Sequence, residues 1–265
     1  MSRRADGADP TLEVQERVAE VRERIADAAR RSGRVAADVT LVGASKRQPL
    51  ERIIAAVRAG VHHLGENYLQ EARDKRAAIE AKLRESDVPL PRWHMIGQLQ
   101  RNKVRAALSL FDLVETVDRP ELASEIDRRV ASAIEAASGD PDRAENPRRV
   151  LDVFAQVNTS GEPQKAGVTP AQLPALLQAC APLEGLRVIG LMTLPAPPRE
   201  DDPGGGRAPF AQLRELRDHL RDAPGGESLR ELSMGMSGDF EIAIEEGATL
   251  VRVGTALFGA RKERT

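Results

Sequence analysis

Cysteine is almost missing from this chain: Cys180 stands alone among 265 residues. A single thiol excludes an intramolecular disulfide framework and any multi-cysteine zinc or iron–sulfur site. It fits a reducing compartment, so a cytoplasmic location is expected. Aromatic residues are scarce at 3%, with one Trp and one Tyr, which leaves a poor stacking platform for single-stranded nucleic acid. Net charge is also nearly absent, since 39 Lys and Arg face 41 Asp and Glu for a formal −2. A nucleic-acid partner is not expected of such a balance. No apolar run approaches the ~20 residues that cross a bilayer, and residues 1–10 are charged where a signal peptide would be apolar. No membrane association is expected.

What remains is a chain able to bury a core, with 41% hydrophobic and 30% charged residues. Its length suits one (β/α)₈ barrel, which takes ~250 residues, so a single domain over residues 1–265 is expected, with residues 1–10 flexible. A first helix is predicted over Leu12–Arg31, where Val18, Val21, Ile25 and Ala28 follow helical spacing and Gly33 supplies a stop. Strand-like runs then occur at Val39–Ala44, His62–Gly65, Trp93–Ile96, Leu113–Thr116, Val150–Val157, Leu186–Leu191, Glu231–Ser233 and Leu250–Val253. Helical patterns separate them near Leu50–Ala59, Leu69–Leu83, Lys103–Leu108, Pro120–Ala137, Pro170–Cys180, Phe210–Leu220 and Phe240–Glu246.

Strict alternation implies parallel strands joined by right-handed crossovers. The strand count and the lack of a Gly-x-Gly-x-x-Gly fingerprint after the first strand favour a closed α/β TIM barrel with an extra N-terminal helix over an open sheet. Two stretches look like loops of free length: the polar insert Gly139–Arg148, and Pro195–Pro209, which is rich in Pro, Gly and charge. The second follows strand six on the rim, as a solvated loop or a lid.

Barrel chemistry gathers at the C-terminal strand ends. There Lys46 follows an apolar strand directly, where low-dielectric walls would disfavour its ammonium form; a neutral amine can condense with an aldehyde. A lysine snorkelling to water is the plain alternative. After strands seven and eight stand Ser237, Gly238, Gly254 and Thr255, hydroxyls and glycines where such barrels bind phosphate through backbone N–H groups. Ser237 could equally cap a helix starting near Asp239. Arg252 lies within a strand between valines, costly to bury alone, so it either pairs with Glu231 or Glu115 or faces a ligand acceptor. An amine, a phosphate cradle and a guanidinium suit pyridoxal 5′-phosphate (PLP), which carries an aldehyde, a phosphate and a ring nitrogen.

The segments LVGASK (41–46), LGENY (64–68), WHMIGQLQRNK (93–103), QVNTSG (156–161), GLMT (190–193), LSMGMSGDF (232–240) and VRVGTALFG (251–259) closely resemble the YggS/PROSC family, the pyridoxal phosphate homeostasis proteins. The resemblance runs in order from the first helix to Arg261. It implies a barrel like the N-terminal domain of alanine racemases, with Lys46 carrying the cofactor as an aldimine. It further implies that Ser237, Gly254 and Thr255 hold the phosphate, Arg252 faces the pyridine nitrogen, and Asn67 lies beside the cofactor. Gln98 departs from the histidine common in the family, and the loop after strand six is unusually rich in Gly and Pro.

A racemase needs a second base opposite its lysine, supplied in alanine racemases by a tyrosine from another domain. The expected barrel uses the whole sequence, and the only tyrosine, Tyr68, is expected to pack or hydrogen-bond at strand two. A permanently charged Arg252 would oppose protonation of the ring nitrogen and weaken the electron sink of PLP chemistry. The expectation is therefore a non-catalytic protein that stores, buffers or delivers PLP, with apo PLP-dependent enzymes as receivers. A racemase-like enzyme and a cofactor-free Schiff-base aldolase are the rivals. His62, His63, His94 and Glu66 do not form a metal site, because neighbours on a strand point to opposite faces. Arg101, Lys103 and Arg105 form a basic cluster on a solvated face or a secondary anion contact. Cys180 is expected to pack, and the absence of a heptad seam suggests a monomer.

Overall fold

The computed structural model describes residues 10–138, 150–196 and 205–259. The insert at 139–148, residues 197–204 of the second loop, and nine of the first ten residues lie outside that set. α1 spans Pro10–Arg31. Then β1 (Thr40–Ala44), α2 (Leu50–Arg58), β2 (His63–Glu66), α3 (Leu69–Arg84), β3 (Arg92–Met95) and α4 (Val104–Leu108) alternate. They are followed by β4 (Leu113–Val117), α5 (Pro120–Ser138), β5 (Leu151–Gln156), α6 (Leu173–Cys180) and β6 (Leu186–Met192). The chain ends in α7 (Ala208–Leu220), β7 (Glu231–Ser233), α8 (Phe240–Glu245), β8 (Leu250–Val253) and α9 (Thr255–Phe258). The eight strands close into one parallel barrel, sealed by β1 against β8 with Val42 opposite Arg252.

The strand alternation divides the core in two. Val42, Leu113, Phe154, Met192 and Leu250 form a small cluster inside the barrel, whereas Leu41, Leu64, Val153, Leu191 and Val251 join the larger layer between sheet and helices. α1 lies across α2, α8 and α9, outside the β1–β8 seam. Its buried stripe of Val14, Val18, Val21, Ile25 and Ala28 repeats at three or four residues, and each large side chain so buried contributes about 1.5–3 kcal/mol. Arg24 of α1 reaches Glu241 at 2.9 Å and covers the Phe240 ring at 4.7 Å, which fixes the helix against α8. The helix stops where Gly33 turns to φ 72°.

Three helix starts differ from expectation by two residues or more, and a proline stands in the first turn of each: α1 begins at Pro10 itself, before Leu12. α6 begins at Leu173 instead of Pro170, because Pro174 lacks an N–H and sits at the first turn. α7 begins earlier, at Ala208, with Pro209 in the same role. The single turn α9 was not anticipated from periodicity, since four residues carry none.

Candidate functional site

Four neighbouring strands bring the singled-out residues to one sector of the rim. β1 stands between β8 and β2, and β8 pairs with β7, so Lys46, Asn67, Ser237, Gly254 and Thr255 follow adjacent strand ends. Arg252 projects from β8 in the same layer system as Leu250. Lys46 stands in the turn that follows β1, two residues beyond Ala44, and is half-buried. Gly97 explains how Asn67 is held: a Cβ there would lie 2.3 Å from the Asn67 carbonyl oxygen, so only glycine lets the two loops touch. The Asn67 Oδ1 is buried without a hydrogen-bond donor.

The turn that carries Lys46 is bolted to α3. Ser45 Oγ donates to Glu66 Oε1 at 2.7 Å, and Lys75 Nζ donates to the Ser45 carbonyl at 2.8 Å, to Glu66 at 3.2 Å and to Glu71 at 2.5 Å. The Arg47 amide donates to Glu71 from the other side, and Arg47 takes φ 58°. A bulky residue in the left-handed region is strained, and Glu71 stabilises it there. Burial pushes the Glu66 carboxyl up, against the opposing pull of Lys75 and Ser45. None of these anchors was legible in advance, because Glu66 and Lys75 meet only after α3 folds back on β2.

Arg252 is fully enclosed and is not alone. Its Nη1 donates to Ser233 Oγ, its Nη2 donates to the Thr193 carbonyl at 2.7 Å, and Glu115 Oε2 lies 3.7 Å away. Of the two carboxylates considered from the sequence, Glu115 is therefore the partner. Ser233 Oγ donates to Glu115 at 2.5 Å and His94 Nδ1 donates to it at 2.7 Å, while His94 Nε2 lies 2.9 Å from His63 Nδ1. Burial raises the Glu115 carboxyl, but the His94 hydrogen bond, His94 and Arg252 outweigh it and hold the group below its usual range. Glu115 is thus ionised, and His94 presents its Nδ1 proton to it. Burial, with His94 nearby, lowers His63 to about 4. The interior of the barrel is a hydrogen-bonded file from His63 at one end to Arg252 near the mouth.

Ser237 has a different task from the cap expected near Asp239. Its Oγ accepts the N–H groups of Gly254 at 3.1 Å and Ala256 at 3.2 Å, so it satisfies the start of α9, not of α8. Asp239 stands at the N-cap of α8 without a side-chain bond to its amides; its Oδ1 accepts the Met236 amide of the preceding turn at 2.6 Å. The Ser237 hydroxyl keeps its own proton to donate, near the exposed Thr255; the space at Gly238 is open, and Gly254 approaches the Ala44 end of β1.

Other candidates fall elsewhere. Tyr68 makes no side-chain hydrogen bond among the described residues and is 55% exposed at the α3 N-cap. His62 is exposed while His63 faces inward, and no cluster suited to a metal occurs among the described residues. Cys180 is buried in α6, and burial pushes its thiol up to about 11. No helix among the described residues is long and apolar enough to cross a membrane.

The sequence model of a family described as "Alanine racemase, N-terminal domain" matches residues 16–262. A pyridoxal phosphate homeostasis protein of Pseudomonas aeruginosa is 43% identical over 248 residues, covering 94% of this chain and 96% of the relative. Its namesake in Aquifex aeolicus is 42% identical over 247 residues, covering 93% and 98%. Among solved structures, PipY of Synechococcus elongatus with PLP bound superposes with a TM-score of 0.72 at 35% identity, covering 93% of this chain and all of that one.

Proposed function

Because this chain belongs to the family of the pyridoxal phosphate homeostasis proteins, built on the alanine racemase N-terminal domain, we propose that it binds PLP reversibly at its barrel mouth and buffers or delivers it in the cytoplasm. The observation that carries this is the meeting, on one sector of the rim, of the Lys46 turn, the Ser237–α9 contact and the enclosed Arg252. When bound, PLP supplies an aldehyde able to condense with an amine, and a phosphate dianion.

The chain's own groups fit those needs. Lys46 offers the amine from a turn clamped on both sides by α3, which limits the ordering entropy lost on binding. Ser237, whose Oγ takes the Gly254 and Ala256 amides and so keeps its own hydroxyl proton to donate, would hold the phosphate together with Gly254 and Thr255. Arg252 stays a cation beside ionised Glu115 and would be the group to face the ring nitrogen, where a fixed positive charge disfavours a proton. Asn67 offers an unpaired buried acceptor beside the ring. Such a site grips the cofactor yet provides little electron sink, which suits a carrier with no efficient turnover acting as one monomeric barrel unit. Apo PLP-dependent enzymes are its receivers.

The test is the absorbance of purified protein, with mass analysis after borohydride reduction. A cofactor band and an adduct on Lys46 are expected, both lost in Lys46→Ala. Racemisation or transamination in the ordinary enzymatic range, on the order of 1 s⁻¹ or faster, would reject the carrier role.

A further inference from the structure

A groove of about 980 Å³ runs between the start of α3 and the segment leading into α4, and it opens beside Asn67 and Gly97. Among the described residues its walls carry three exposed cations, Arg73, Lys103 and Arg105, and no carboxylate. A second surface groove, around Arg217 and Arg230, contrasts with it, because Asp218, Asp222 and Glu227 line the same space.

The imbalance is local and specific. Along α3, Lys75 pairs with Glu66 and Glu71, Arg76 and Arg84 pair with Glu80, and Lys82 pairs with Glu85. Arg73, on the groove side, has no carboxylate partner among the described residues. The start of α3 also opens into this space, with Tyr68 at its cap position and no side chain capping the first amides. Three cations and the positive end of a 16-residue helix therefore converge on one concavity in a chain whose formal charge is −2. Gln98, Gln100 and Asn102 complete the wall with carboxamides, which both donate and accept hydrogen bonds as a peptide backbone does.

We propose that this groove docks an extended acidic segment of a protein partner, holding the partner next to the mouth from which PLP leaves. The proposal rests on the PLP-carrier function and names the recognition chemistry of its receivers. Carboxylates match the cations and the helix start, the carboxamides match the intervening backbone, and Asn67 is common to the groove and the cofactor site. A row of carboxamides would contribute little to a lone phosphate.

The experiment measures anisotropy of a fluorescein-labelled peptide of alternating glutamate and glycine against the full chain, with and without PLP. Arg73→Gln/Arg105→Gln is compared with Arg128→Gln/Arg187→Gln, which removes the same charge from two surface ion pairs elsewhere. At low salt the groove variant is expected to bind about tenfold more weakly, and the control within about twofold. Equal weakening in both variants overturns the proposal, as does displacement of the peptide by low-millimolar inorganic phosphate. Tighter binding of a single-stranded oligonucleotide, lost in the groove variant, also overturns it. PLP titration followed by absorbance is read separately. A wild-type chain that takes up no PLP but binds peptide through the groove removes the carrier function and leaves the docking surface standing.

Discussion

Lys75 Nζ sits 2.8 Å from the carbonyl oxygen of Ser45, so a helix side chain holds the residue immediately before the predicted cofactor lysine. The same ammonium neutralises Glu66, whose side chain is wholly buried. Removing it leaves a buried carboxylate without its cation, so Lys75→Met is expected to cost about 3 kcal/mol in urea unfolding and to weaken PLP uptake. Adding Glu66→Gln removes the stranded charge. The double variant should recover much of the stability while PLP uptake stays weak, because the Ser45 carbonyl is still released.

Glu115 lies opposite Arg252, with Ser233 and His94 closing the other sides. Glu115→Gln keeps the shape and loses the charge, at an expected cost of about 2–4 kcal/mol. The folded carboxyl is held low, so its contribution is present above the ordinary carboxylate pKa and lost as pH falls through the folded value. Urea midpoints of the variant should therefore approach those of the wild type toward the acid end.

His63 gives a second acid-side signature. Its folded pKa is lowered from 6.5 to about 4, so below pH 6.5 the unfolded chain binds a proton that the folded chain refuses. Stability is full above 6.5 and falls as pH drops toward 4. Water reaches this half-buried ring, so the loss is expected to be about 1–2 kcal/mol. The difference between pH 7 and 4.5 in urea unfolding should shrink in His63→Gln.

Ser237→Ala frees two amides at the start of α9. The apo protein is expected to lose about 1 kcal/mol, seen as a lower Tm. Affinity for PLP should fall more than affinity for pyridoxal, which has no phosphate. Equal effects on both ligands would place the phosphate elsewhere.

The residues legible in the sequence share one property: they announce themselves by position along the chain. Lys46 ends an apolar run, Arg252 interrupts one, and Ser237 and Gly254 punctuate the last two turns. Their partners are not legible in this way. Ser233 and Glu115 are 118 residues apart, and nothing local in either strand signals the contact. Glu115 could be named beforehand only as one of two carboxylates near the right depth, and the choice between it and Glu231 needed the closed barrel. Ser237 shows the same limit at short range: the sequence places a capping residue before α8, but the hydroxyl turns across to α9.

Local signals suffice for the eight-fold alternation, the extra helix in front and the polar ends of the strands, because periodicity and turn chemistry act between near neighbours. Closure of the barrel decided the rest. Sealing β1 against β8 set Val42 opposite Arg252, and folding α3 against β2 set Lys75 under Ser45. Those pairings depend on register around a closed cylinder, and their energies arise only once burial has stripped water from charges far apart in the chain.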